Sequence, residues 1–194
     1  LSGTSVAQEP ADGKGSIAKS SNDVASKLLQ SHSGLAIACE DGLSAGFPCH
    51  EVDLLSFMTL DELGQGDIRP LRASDIWGWT DPETGREYAL VGRNVGSSFV
   101  DVTDPLNPVL IGTLPRTPDS RASVWRDIKV YQNHAYIVAD GAGAHGMQVF
   151  DLTRLRQASG NAVEFSPDLT YHEFGSAHNI VINTESGYAD AAGA

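Results

Sequence analysis

A pattern that returns every 52 residues limits the folds open to this chain: Asp75-Ile76 is followed by Asp127-Ile128 and then by Asn179-Ile180. Each dipeptide opens a similar series of short apolar runs separated by turn residues, as in DIWGWT, DPETG and EYALVGRN after position 75. A period near fifty residues, built from short strands, is typical of a β-propeller blade, which buries its faces only by stacking on neighbours. We therefore expect an all-β fold.

The repeats divide the chain into three regions. Residues 71–194 predict an incomplete β-propeller of about two and a half four-stranded blades. The blades are listed by range: 71–115, 124–174 and a truncated 178–194. Residues 34–70 predict an irregular, disulfide-closed segment that leads into the first blade. Residues 1–33 predict a flexible leader, within which apolar spacing at 21–31 favours a short helix.

The charge balance excludes some partners. Thirteen Lys and Arg against 25 Asp and Glu leave a net charge of −12. Binding to nucleic acid needs clustered basic residues, so we expect no nucleic-acid partner. No apolar run approaches the roughly 18 residues of a membrane-spanning helix, so we expect no transmembrane segment in this chain. An acidic chain weakly favours cationic partners such as metal ions.

Cys39 and Cys49 are the only two cysteines, and they flank a Gly- and Pro-containing stretch. An even number of cysteines at close spacing predicts one disulfide that closes a small loop. The alternative is a pair of free thiols. A disulfide favours an oxidising compartment, so we expect a secreted or cell-surface protein.

The repeated dipeptides supply the candidate site. The first strand of each blade lines the central channel of a propeller, so Asp75, Asp127 and Asn179 are expected to converge on its axis, with His178 beside the third. Their oxygen ligands suit a divalent cation, preferably Ca²⁺, and His178 would admit a transition metal. The alternative is structural: each aspartate accepts hydrogen bonds from backbone amides at the start of a strand.

Three tryptophans, Trp77, Trp79 and Trp125, lie near the first strands of two repeats. Aromatic rings at a channel mouth stack on sugars or pack against cations, whereas rings between blades seal the core. Both roles are open from the sequence.

Several strings, in order, carry a family resemblance. SSFVDVTDPLNPVLIGTLP resembles the LVIVD repeat, and the longer run from DIWGWT, followed by WRDIKVYQNHAYIV and SAHNIVIN, is similar to the choice-of-anchor B family of bacterial surface proteins. The resemblance covers roughly residues 34–188. It implies a secreted propeller that other family members attach to the cell by differing C-terminal signals, and it implies no particular reaction. This chain departs from the family pattern by stopping inside the third blade.

Two functions follow as expectations. The first is a secreted or surface binding module whose partner is a protein, a glycan, or the missing blades of the same propeller. The alternative is a metal-dependent, lactonase-like hydrolase that uses the axial residues around a divalent ion. Fold class alone does not choose between them.

Overall fold

The computed structural model describes residues 30–158 and 160–194, so most of the leader, and nearly all of the helix predicted at 21–31, lie outside the described residues. Within the described part, regular structure consists of thirteen β-strands and one 3-10 helix, Leu152–Gln157. The fold is therefore all-β, as the sequence predicts.

The strands are numbered along the chain. They are β1 (Leu43–Ser44), β2 (Phe47–Pro48), β3 (Ala73–Thr80), β4 (Glu87–Arg93), β5 (Gly96–Asp101), β6 (Val109–Pro115), β7 (Arg126–Tyr131), β8 (His134–Ala139), β9 (Met147–Asp151), β10 (Val163–Glu164), β11 (Leu169–Tyr171), β12 (Asn179–Asn183) and β13 (Tyr188–Ala192). Apart from the two-residue strands β1, β2 and β10, they follow the apolar runs between the turn residues.

The longer strands form two open sheets and a hairpin. The first sheet has the order β10-β6-β5-β4-β3, the second has the order β11-β9-β8-β7, and β12 pairs with β13. Neighbours along the chain pair antiparallel, as short turns require. The exception is β10, which runs parallel to β6. None of the described sheets closes on itself.

The main core lies between the first and second sheets. It is built from apolar side chains that alternate along the facing strands: Trp79, Tyr88, Leu90, Phe99, Ile111, Leu114, Ile128, Ala135, Ile137 and Phe150, with Leu152, Leu155 and Phe165 from the segment after β9. The rings of Phe99 and Phe150 stack across the interface with their centroids 4.7 Å apart. Each fully buried side chain of this size contributes about 1.5–3 kcal/mol.

A smaller core covers the other face of the second sheet. Val138 contributes from β8, Ile180 and Ala177 come from the hairpin region, and Ile182 packs against them. The hairpin therefore lies on the opposite side of the second sheet from the first sheet, and the three β units form a series.

The N-terminal segment covers part of the outer face of the first sheet. Cys39 and Cys49 form the predicted disulfide. Further along, the backbone carbonyl of Leu63 accepts a hydrogen bond from the buried Ser98 hydroxyl at 2.6 Å. Residues 53–63 are irregular and contain isolated bridges to the residues before the disulfide, as with Ile37 and Leu54. This segment therefore packs on the first sheet.

The connection after β9 differs from the expected pattern of a self-contained unit at 124–174. Asp151 caps the 3-10 helix by accepting a hydrogen bond from the Thr153 amide. The chain then crosses to the first sheet, where β10 pairs with β6, and returns to the second sheet as β11. A strand from the second repeat thus forms the edge of the first sheet.

Candidate functional site

The first strands of the three β units, β3, β7 and β12, lie next to one another in the order of the chain, since β7 contacts both of the others. This arrangement brings the three repeated dipeptides to neighbouring positions. It is a consequence of stacking the two sheets and the hairpin in series.

Each repeated aspartate accepts a hydrogen bond from the backbone of the following unit. Oδ2 of Asp75 accepts from the amide of Ile128 at 2.8 Å, and Oδ2 of Asp127 accepts from the amide of Ile180 at 2.7 Å. Both bonds join residues 53 positions apart in the sequence. The aspartates therefore link one unit to the next, in the structural role that the sequence left open.

The isoleucines of the repeated dipeptides are buried where a preceding unit lies against them. Ile128 is fully buried in the core between the two sheets, and Ile180 is 1% exposed in the core against the second sheet. Ile76, the equivalent residue of the first sheet, is 64% exposed. Each buried isoleucine packs against the preceding unit.

Asp127 is the most strongly engaged of the predicted ligands. The Lys129 ammonium forms an ion pair with its Oδ1, while Oδ2 bonds Ile180. Burial opposes ionisation of this carboxyl group, but the bonds from Lys129, the Ile180 amide and the Asn179 side chain outweigh it and lower the pKa of Asp127. Asp127 is thus held as a carboxylate whose charge is largely compensated by protein groups.

The His178 side chain pairs with a carboxylate outside the repeated dipeptides, that of Asp140. Its Nδ1 lies 2.8 Å from Oδ2 of Asp140, on an exposed surface at the end of the sheets where β7 and β12 begin. No hydrogen bond joins its Nε2 to any residue in the described part of the chain. His178 is thus oriented by a carboxylate that sequence reasoning did not select.

The four predicted ligands differ in their fit to a divalent cation. Asp127 is already bonded by an ammonium group and an amide, so a cation would have to displace Lys129, whereas Oδ1 of Asp75 makes no hydrogen bond within residues 30–158 and 160–194. Across those residues, no group of three or more His, Cys, Asp and Glu side chains is placed to share one metal ion. The axial Ca²⁺ stays a prediction.

The three tryptophans separate into two roles. Trp79 is buried, stacks on Tyr88, and donates from its indole nitrogen to Asn133 at 3.2 Å. Trp77 lies under the Lys129 ammonium, 4.6 Å from the ring centroid. Trp125 is 63% exposed, and its carbonyl accepts from the amide of Asp140. The backbone of Trp125 is therefore bonded to the residue that pairs with His178, and its indole is exposed.

A cluster of arginines near the same end was missed by sequence reasoning. Arg93 is 2% exposed and Arg126 is 4% exposed, and Nε of Arg126 donates to the backbone carbonyl of Arg93 at 2.6 Å. Within the described residues, neither guanidinium forms a salt bridge with a carboxylate. The available signal was the position of Arg126 directly before the repeated aspartate, but an arginine next to a strand residue is usually solvated.

His145 completes this cluster. It is fully buried, its Nδ1 bonds the Gly146 carbonyl at 3.0 Å, and its Nε2 lies 2.7 Å from Nη1 of Arg126. The carbonyl requires a proton on Nδ1, so Nε2 accepts from the guanidinium and the ring is neutral. Burial, followed by the charge of Arg126, lowers the pKa of His145 to about 4.

Within the described residues, no helix is long and apolar enough to cross a membrane.

Comparison with protein-family models, with curated proteins and with solved structures found no match to this chain. The structure thus defines an all-β protein, and these comparisons assign it to no family.

Proposed function

We propose that the protein is a secreted or cell-surface binding module with β-propeller architecture, in which the two sheets and the hairpin are successive blades. The observation that carries this proposal is the pair of aspartate-to-amide bonds with the same 53-residue offset. Repetition of one bond between successive units supports a regular rotation from unit to unit, which is the geometry of a propeller. The resemblance to the choice-of-anchor B family supports the same architecture and location.

The architecture is tested by a crystal or cryo-EM structure of the natural full-length gene product. A closed ring of sheets, with β3, β7 and β12 lining its channel, is expected. An open stack, or a sandwich in which the first strands of the units diverge, would remove the basis of the proposal. Location is tested separately by fractionating the producing cells and assaying the medium and the surface for the protein.

The binding surface is proposed at the end of the sheets that carries Trp125 with the His178–Asp140 pair. An exposed indole on a residue whose backbone is bonded to Asp140 suits a glycan, because sugar rings stack on aromatic faces while their hydroxyl groups bond polar groups nearby. The partner class is therefore a surface glycan, with a protein ligand as the other outcome of the same test.

A glycan array read with the purified protein identifies the ligand. The Trp125→Ala variant is expected to bind about tenfold more weakly, since it loses the stacking platform. Tyr188→Ala removes another exposed aromatic ring at the far end of β12–β13 and serves as the control. Equal binding by the wild type and the Trp125→Ala variant would place the binding surface elsewhere.

A metal-dependent hydrolase is the second candidate, favoured by one observation. His178 is oriented by Asp140 through Nδ1, which leaves Nε2 as an acceptor for a proton from water. In this reading the axial divalent ion supplies activated water when bound. Hydrolysis of a panel of lactones and esters, with and without added Ca²⁺ or Zn²⁺, tests it, and activity that survives in His178→Ala would reject the residue as the base.

A further inference from the structure

A partly open cavity with a mixed polar and apolar lining lies between the N-terminal segment and the edge of the first sheet. Its volume is about 180 Å³, and its lining includes Arg93, Arg116, Gln65, Thr113, Asp67 and Glu164. It is separate from the exposed surface that carries Trp125 and His178. A cavity of this size holds a small ion or several water molecules.

Two of the lining residues are arginines, and each has a buried Nε donor without a partner among the described residues. Nη1 of Arg93 donates to the carbonyl of Gly64 at 2.7 Å, but its Nε is buried and has no hydrogen-bond partner within the described residues. Arg116 donates to Ser120 and to Asp67, and its Nε is likewise buried without a partner there. Buried donors of this kind normally have a partner, because an unsatisfied charged group is costly in a protein interior.

A third buried arginine, Arg126, adds positive charge next to Arg93. Arg126 bonds the carbonyl of Arg93, and its own Nη2 is a further buried donor without a partner in the described residues. Burial is the main cause that lowers the pKa of Arg126 to about 10, and the charges of Arg116 and Arg93 lower it further. The charge of the Arg126 guanidinium is therefore opposed by the charges of both Arg116 and Arg93.

The carboxylates nearby compensate only part of this charge. Asp67 pairs with Arg116 at 2.6 Å and is mostly exposed. Glu164 lines the cavity from β10, is exposed, and forms no salt bridge within the described residues. His145 is a neutral acceptor for Arg126, so it does not compensate the positive charge of the arginines. Among the residues that the structure describes, the two deeply buried guanidinium groups of Arg93 and Arg126 thus have no carboxylate partner.

We propose that this cavity binds a small oxyanion, which accepts hydrogen bonds from the guanidinium groups of Arg93 and Arg116 and compensates the charge of the arginine cluster. Guanidinium edges match the oxygen spacing of phosphate and carboxylate groups, and such charge-assisted bonds are stronger than neutral ones. Glu164 opposes the anion, so the structure favours modest affinity for a small anion over tight binding of a polyanion.

Inorganic phosphate is the probe, and isothermal titration calorimetry at constant ionic strength measures its binding. We expect one site with a dissociation constant on the order of 1 mM, consistent with a few charge-assisted contacts. Phosphate should also raise the thermal unfolding temperature above that in sodium chloride of the same ionic strength. Equal behaviour in the two salts would mean that water alone fills the cavity, and would overturn the proposal.

Variants with opposite expected effects locate the site. Arg116→Gln should weaken phosphate binding at least tenfold, whereas Glu164→Gln should tighten it about threefold because a like charge is removed. Arg69→Gln alters an exposed arginine of the same segment that pairs with Asp61 and does not line the cavity, so it should leave binding unchanged.

Two results would reject the site even if phosphate binds. One is unchanged affinity in Arg116→Gln, and the other is unchanged or weaker affinity in Glu164→Gln. Glu164 is an exposed side chain, so its substitution is expected to fold. That variant decides the question if Arg116→Gln does not yield folded protein.

Discussion

At the scale of single residues, the repeated aspartates act as links between units. In Asp75 and Asp127, one carboxylate oxygen accepts a hydrogen bond from a backbone amide of the next unit. That amide belongs to the buried isoleucine that follows the aspartate or asparagine of the next repeat. A buried amide that loses its acceptor is costly, so the residue type at this position is constrained by the backbone it faces. An asparagine oxygen can accept the same bond, which accounts physically for Asn179 as an acceptable third member of the series.

Replacement of Asp127 tests this role. Asp127→Ala leaves the buried amide of Ile180 without an acceptor and should lower the free energy of unfolding by roughly 1–3 kcal/mol. Asp127→Asn retains an acceptor oxygen and should lose less. Chemical denaturation of both variants measures the difference, with Glu173→Ala as an exposed control. An alanine variant as stable as the wild type would show that the bond to Ile180 contributes nothing.

His145 makes stability depend on pH in a defined window. Its pKa is about 4 in the folded protein and 6.5 is its ordinary value, so the unfolded chain binds a proton between these pH values that the folded protein does not. Stability should therefore fall as the pH decreases from 6.5 to 4, by up to about 3 kcal/mol. Urea unfolding at several pH values measures this slope.

His145→Gln should flatten that slope, since glutamine keeps an acceptor for Arg126 but does not titrate. Other carboxyl groups with lowered pKa values, such as Asp127, lose their contribution mainly at lower pH, because both their folded and ordinary values lie below 4 or close to it. An unchanged slope between pH 6.5 and 4.5 in the variant would assign the effect to other groups.

At the scale of the elements, β10 connects the two repeats. It pairs parallel to β6, and the phenyl ring of Phe165, which follows it, packs against Phe99 and Phe150 in the core. This crossing depends on a small residue in β6. A Cβ atom added at Gly112 would lie 2.2 Å from the carbonyl oxygen of Val163 and 2.6 Å from the Phe165 ring.

The close approach at Gly112 predicts a large effect for a small substitution. Gly112→Ala should destabilise the protein by roughly 1–3 kcal/mol, because the backbone of β10 must move and the Phe165 ring must repack. Gly78→Ala is the matched control in the same sheet, since a Cβ atom there would meet no atom of the described residues within 4 Å. Thermal unfolding of the two variants compares them, and equal stability would argue against close packing of β10 on β6.

At the scale of the whole molecule, the outer face of the first sheet is more exposed than the two interfaces between successive units. Ile128 and Ile180 are buried against the preceding unit, while Ile76 has no preceding unit among the described residues and remains exposed. In a closed propeller this face would be covered by another blade, so the equivalence of the three isoleucines gives a test of closure.

Alanine substitution measures how much the burial of each isoleucine contributes to the free energy of unfolding. In the 194-residue chain, Ile128→Ala should cost about 2–5 kcal/mol and Ile76→Ala less than about 0.5 kcal/mol. A closed ring predicts instead that Ile76→Ala is as costly as Ile128→Ala, because another blade would then cover Ile76. Denaturant unfolding of the two variants measures this, and an Ile76→Ala variant without effect would contradict a closed ring.

Much of the local structure could be predicted from the sequence, because it depends on neighbours in the chain. Apolar runs between turn residues indicated the main strands, as for β4 at Glu87–Arg93, which lies within the run EYALVGRN. The spacing of Cys39 and Cys49 predicted their disulfide. The 52-residue period identified Asp75 and Asp127 as equivalent, although it left open whether they face a metal ion or the backbone.

Other features were decided by the tertiary structure alone, because they join residues whose separation along the chain carries no pattern. The crossing of β10 to β6 requires the space beside Gly112, and no local periodicity signals that space. The pairing of His178 with Asp140, and the burial of Arg93 and Arg126, depend on how the units stack. Short-range preferences select strands and turns, whereas the environment of a charged side chain is set by the distant surfaces that fold against it.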